Sequence, residues 1–98
     1  MLNQKGGVIL KYTPSPSELR QWYEKEFNAD LDYVNHVAQR NNENYKTVMH
    51  RYQKGIIEYI AMDIYYNQYH PNELLPKQNE LYDIQKMVAE AVGIELNE

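Results

Sequence analysis

The chain has three histidines, His36, His50 and His70, and no cysteine, so imidazole is the side chain best suited here to hold a metal or move a proton near neutral pH. The three fall on different stretches, with no pair four residues apart and no HExxH pattern. That spacing predicts no metal site. Asp32 and His36 stand four apart and would meet on one helix face, but no nucleophile follows them, so they are expected to be a solvent-facing pair. Asp63 is the odd carboxylate. At helical spacing it points between Ile56, Tyr59, Met62 and Tyr66, inside an apolar half-helix. It is therefore expected to be buried and paired with a tyrosine hydroxyl, a cation or a backbone cap; a perturbed functional acid is the alternative. Gly-rich phosphate loops, paired carboxylates on one face and nucleophile–base spacings do not occur. The expectation is a non-enzymatic protein with no catalytic residue and no cofactor.

Macromolecular binding is the remaining class, and charge separates its two forms. The net charge is −4, unevenly spread. Residues 36–55 carry Arg40, Lys46, Arg51 and Lys54 against Glu43, a local +3, whereas residues 56–98 carry two cations against eight anions, a local −6. The middle is basic and the C-terminal half acidic. Ten tyrosines in an Asn-, Gln-, Lys- and Ile-rich chain are what an AT-rich genome encodes, and are also amphipathic side chains enriched at binding surfaces. Another protein is the expected partner, with Trp22, Tyr65 and Tyr69 as contact residues and a homodimer as one arrangement. DNA is the alternative, with Asn44, Lys46, Thr47, His50, Arg51 and Lys54 on phosphates and base edges.

The elements that would position these residues are helical. Residues 44–69 form the densest apolar stretch. On a wheel at about 100° per residue, Tyr45, Val48, Met49, Tyr52, Ile56, Tyr59, Ile60, Met62 and Tyr66 share one half of the circumference. Ile57, Ala61 and Ile64 add a second row, so the later half should be buried on two sides. One long helix over 44–69 is expected, with a hinge at Gly55 as the alternative. Ahead of it, Ser15, Pro16 and Glu18 predict a capping box and a helix over 16–27 with Leu19, Tyr23 and Phe27 inward and Trp22 beside them. Asp30 is the expected N-cap of a helix over 31–41 whose apolar face is Leu31, Val34, Val37 and Ala38. The run from Arg40 to Asn44 reads as a turn. His70-Pro71-Asn72 and Pro76 stop the long helix and bracket Leu74 and Leu75, expected to plug the core. A last helix over 77–92 follows, with Leu81, Ile84, Val88, Ala91 and Val92 inward and Gly93 as its C-cap.

Residues 31–54 resemble a helix-turn-helix: Val37-Ala38, a turn at Asn41-Asn42, then Thr47-Val48, with the small residue Ala38 ten positions before the branched Val48. The closing segment LYDIQKMVAEAVGIEL is similar to the last helix of phage-repressor-type DNA-binding domains. Together these cover about half the chain. The pattern departs where Asn42 replaces the usual glycine and Arg51 an apolar residue. The resemblance implies a DNA-binding regulator.

The 98 residues predict a single all-α domain over 1–98, an irregular four-helix bundle around one long central helix, with residues 1–12 as an N-terminal arm or short strand. No apolar run is long enough to span a bilayer, and the first dozen residues lack the apolar core of a signal peptide. Together with the lack of cysteine, this makes the cytoplasm the expected location.

Overall fold

The structure, a computed structural model, describes residues 13–96, so the expected arm over 1–12 lies outside the described residues. Helices α1 (Pro16–Ala29), α2 (Asp32–Asn41), α3 (Tyr45–Ile64) and α4 (Gln78–Val92) form a small bundle, and α3 passes directly into a π-helical turn, Tyr65–Tyr69. No strand occurs among the described residues. α3 is the hub, packing against α1, α2 and α4, while α1 also packs on α4.

The helix ends follow local chemistry. Ser15 Oγ accepts the Glu18 N–H at 3.2 Å and Glu18 Oε1 accepts the Ser15 N–H at 2.8 Å, so both donors of the expected capping box are satisfied. Asp30 does not cap α2. Only two residues separate α1 from α2, leaving no room for an extended cap residue. Leu31 takes the N-cap position in helical conformation without a side-chain bond, and the Asp30 carbonyl accepts the Tyr33 N–H at 3.0 Å. Asn42 is left-handed at φ 55°, as a turn asparagine tolerates. Asn44 then caps α3, its Oδ1 accepting the Lys46 N–H at 2.8 Å and the Thr47 N–H at 3.4 Å. Gly93 closes α4 at φ 76°, and the N–H groups of Gly93 and Ile94 both bond the Ala89 carbonyl, an arrangement open to glycine.

The main core gathers Leu19, Ile56, Ile57, Ile60, Ala61, Ile64, Tyr65, Leu81, Ile84, Val88 and Ala89, rimmed by Trp22, Tyr23, Phe27 and Tyr69. A second, smaller cluster of Val34, Val37 and Val48 joins α2 to the start of α3. Tyr52 packs against both.

Two expectations about apolar residues fail. Tyr45, Tyr59 and Met62 are exposed although the wheel placed them in the apolar half. The covered arc of later α3 is centred on Ile57, Ile60, Ala61 and Ile64, and these three residues lie outside it. Leu74 and Leu75 are 94% and 81% exposed; Pro71 follows the end of the π turn and Pro76 precedes α4, but the loop between them turns its leucines outward. No helix among the described residues is long and apolar enough to cross a membrane.

Gly55 does not hinge α3, which runs through it, and an added Cβ there would meet nothing within 4 Å. Gly55→Ala should therefore raise unfolding stability by roughly 1 kcal/mol through helix propensity alone. Ile64→Ala, by contrast, opens a hole at the centre of the core and should cost about 2–5 kcal/mol. Chemical denaturation of the two variants beside the parent measures both.

Candidate partner-binding groove and the polar clamp

Where α1 ends, α2 begins and α3 passes beneath, the surface folds into a groove of about 450 Å³ lined by Glu26, Asp30, Tyr33, Val37, Val48, Arg51, Tyr52, Gly55, Ile56 and Tyr59. Val37, Val48 and Ile56, all buried, form its floor. Tyr33 and Tyr59 stand on it 51% and 54% exposed. Tyr52 fixes the α1 side: its hydroxyl donates to the Phe27 carbonyl at 2.7 Å, satisfying an orphan acceptor at the end of α1. Its ring meets Phe27 at 5.6 Å and Tyr33 at 6.5 Å between centroids. Burial, assisted by the nearby Asp30 charge, pushes the Tyr52 hydroxyl above its ordinary 10.0, which keeps it a donor. Gly55 contributes no side chain, so the groove stays open where α3 crosses it.

The basic segment reaches the surface beside this groove but is partly committed to internal bonds. Thr47, His50, Arg51, Lys54, Gly55 and Glu58 line a second concavity, and Lys46 and Thr47 are exposed. Asn44 has its side-chain oxygen on backbone donors. Arg51 pairs with Glu43 at 2.8 Å, and His50 Nε2 lies 2.9 Å from the Glu95 carbonyl. Ala38 packs against the cluster of Val34, Val37 and Val48.

Of the three expected partner-contact residues, one is out of reach of any partner. Tyr65 is fully buried, and Trp22 and Tyr69 pack half-buried along the core rim. Asp63 is half-buried rather than enclosed, and takes the Asn67 amide at 2.6 Å one turn on. Asp32 and His36 are both exposed. Among the described residues, no group of three His, Asp or Glu side chains could hold a metal ion.

A polar cluster without any sequence signature lies after α3. In the π turn, the His70 N–H reaches back five residues to the Tyr65 carbonyl at 2.8 Å. The Tyr65 hydroxyl donates to Glu73 Oε1 at 2.6 Å and accepts the Lys77 N–H at 2.7 Å. Lys77 Nζ lies 2.5 Å from Glu73 Oε2. The His70 ring packs tilted against Tyr65 at 4.6 Å between centroids and sits between two carboxylates, with Nε2 2.5 Å from Glu80 and Nδ1 3.4 Å from Glu73. The Tyr66 hydroxyl reaches the Leu74 carbonyl at 3.4 Å. With the phenol sealed in the core and both imidazole nitrogens against carboxylates, these bonds tie the 70–77 loop to the end of α3 and the start of α4.

The clamp has a defined pH window. The Lys77 ammonium, then the Tyr65 hydroxyl, hold Glu73 below its ordinary 4.5, so its contribution is present above that value and is lost as pH falls through the folded one. Burial and the Glu73 hydrogen bond raise Tyr65 above 10.0, and Glu73 raises Lys77 above 10.5. Those contributions are complete below the ordinary values and vanish as pH rises through the folded ones. Tyr65→Phe should lower the melting temperature more at pH 7 than in acid below the folded Glu73 value, where the carboxylate is protonated and the lost donor matters less; equal losses across the acid titration would show that Glu73 is not the partner that matters.

In comparisons with known proteins, no family, no curated protein and no solved structure matches this chain.

Proposed function

We propose that this chain is a small non-enzymatic protein-binding module whose docking surface is the groove between α1, α2 and α3. The observation that supports this is the pair Tyr33 and Tyr59, each more than half exposed over a floor of buried aliphatic side chains. Tyrosine supplies a large amphipathic contact with few rotors to immobilise, which suits a surface that must bind without first reorganising. A fixed floor and aromatic walls are what a protruding apolar side chain of a partner needs to become a buried anchor. The cysteine-free composition fits a reducing compartment such as the cytoplasm.

The second reading, a DNA-binding regulator, is favoured by the α2–turn–α3 arrangement, in which Ala38 packs against the Val34, Val37 and Val48 cluster on either side of the left-handed Asn42 turn. Electrostatics weighs against it. Affinity for duplex comes largely from neutralised phosphates, while the basic segment carries four cations, one of them paired with Glu43, and the C-terminal half would be repelled.

The two readings separate by experiment. For a protein isolated with the tagged chain, Tyr33→Ala with Tyr59→Ala should weaken binding about tenfold or more, and Lys46→Glu with Arg51→Glu should weaken it less. Duplex DNA binding that falls steeply with salt and disappears in the charge reversal would overturn the proposal in favour of the second reading.

A further inference from the structure

One wall of the groove is acidic, and among the described residues that charge is left unpaired. The α1 side contributes two carboxylates, Glu26 in the last turn of α1 and Asp30 just past its end, against one cation on the α3 side, Arg51. Arg51 is already held by Glu43 at 2.8 Å. Neither Glu26 nor Asp30 takes part in an ion pair among the described residues. The last turn of α1 holds no basic residue, although the carbonyl end of a helix favours a cation. The negative field reaches into the groove: after burial itself, the charges of Asp30 and Glu26 help to raise the Tyr52 hydroxyl above 10.0.

We infer that the protein bound in this groove presents an arginine flanked by apolar side chains, its guanidinium on Glu26 and Asp30 and its neighbours on the Val37, Val48 and Ile56 floor. The inference rests on the groove being a protein-docking site, and it names what docks there. Charge complementarity selects the guest, because an acidic segment would be repelled by the only wall whose charges are unpaired. A bare metal ion does not fit a trough with an aliphatic floor and no group of three His, Asp or Glu side chains to hold it. The guest is therefore a cation carried on an apolar stem. Between the two such side chains, arginine suits the site better than lysine. Its planar fork can bridge two carboxylates, it is less strongly hydrated than an ammonium, and it stacks on aromatic rings. Tyr33 offers such a ring, 51% exposed and bonded through its N–H to the Asp30 carbonyl.

An acidic wall on one side only also sets direction. The arginine points to the end of α1, and the backbone that carries it crosses α3 at Gly55, where no side chain stands in the way. Hydrophobic contact on the floor would accept many apolar sequences, so the pair of carboxylates is what makes the site selective.

Nuclear magnetic resonance titration of the full chain, labelled with nitrogen-15, tests this with three capped pentapeptides of sequence Ala-Leu-X-Leu-Ala, where X is arginine, lysine or citrulline, the neutral isostere of arginine. The arginine peptide should shift the amides of residues 26–33 and 51–59 with a Kd on the order of 1 mM. The citrulline peptide should bind about fivefold more weakly, the worth of a good exposed ion pair, and the lysine peptide should fall between them. Added salt should weaken the arginine peptide and leave the citrulline peptide unchanged. Glu26 is half-buried and Asp30 exposed, so Glu26→Gln with Asp30→Asn keeps shape and fold, which a circular dichroism melt verifies, and should abolish the preference for arginine over citrulline. Equal binding of the arginine and citrulline peptides, a lysine peptide as tight as the arginine one, a preference that survives the double change, shifts confined to other surfaces, or no binding up to about 10 mM overturns the inference. Failure of the groove as a docking site is read separately, from the alanine changes at Tyr33 and Tyr59 against the protein isolated with the chain.

Discussion

A phenol buried at 0% exposure cannot leave its oxygen without partners, and much of the C-terminal half is arranged around meeting that need at Tyr65. An unpaired hydroxyl in the core carries a desolvation penalty, and a paired one becomes a directional tether. Here the pairing is two-way, to the Glu73 carboxylate and the Lys77 N–H. The loop must therefore fold back over the end of α3, and α4 must start where Lys77 is held. From that start Leu81, Ile84 and Val88 fall onto Ile57, Ile60 and Ile64 within one core. The π turn belongs to the same constraint: its wider winding brings His70 against the Tyr65 ring, where Glu73 and Glu80 can reach it.

Helix starts and stops were legible in the sequence because they depend on a few adjacent atoms. Ser15 and Glu18, the Asn42 turn and Gly93 all act where their residue types say they should. Periodicity marked the apolar side of α3 correctly at Ile57, Ile60 and Ile64, yet it could not say how wide an arc the neighbours cover, and Tyr45, Tyr59 and Met62 lie beyond that arc. Asp30 failed as a cap because the α1–α2 connection is shorter than the cap geometry needs. Leu74 and Leu75 were misplaced because hydropathy favours burial for any leucine; here hydrogen bonds made by Tyr65 and Tyr66 decide where their backbone goes.

The groove was illegible for a related reason. Its lining comes from three helices, and its most informative residue types are tyrosines, which serve core, rim and surface alike in this chain. Tyr65 and Tyr66 are adjacent, and only the π turn after α3 shows why the first is sealed inside and the second reaches the loop. Tyr33 sits one position before the apolar Val34 and carries no mark of its own. The basic segment, by contrast, was visible as charge, although its internal commitments through Glu43 and Glu95 were not.

The division of the interior into a large cluster and a small one bears on how firmly the groove is shaped. α2 is anchored through its two buried valines, Val34 and Val37, against Val48 of α3, with half-buried Leu31, Ala38, Met49 and Tyr52 around them, whereas α1 and α4 share the larger cluster. Free energies of local opening follow the number of buried apolar contacts that must be broken, so α2 belongs to the low-stability end of the molecule. The trough has one wall on that element and its other walls on the well-anchored ones, with Tyr52 spanning the seam between them. Its width at any moment is therefore governed by the least cooperative part of the fold, and a guest that fills it joins two units that the empty protein holds together loosely.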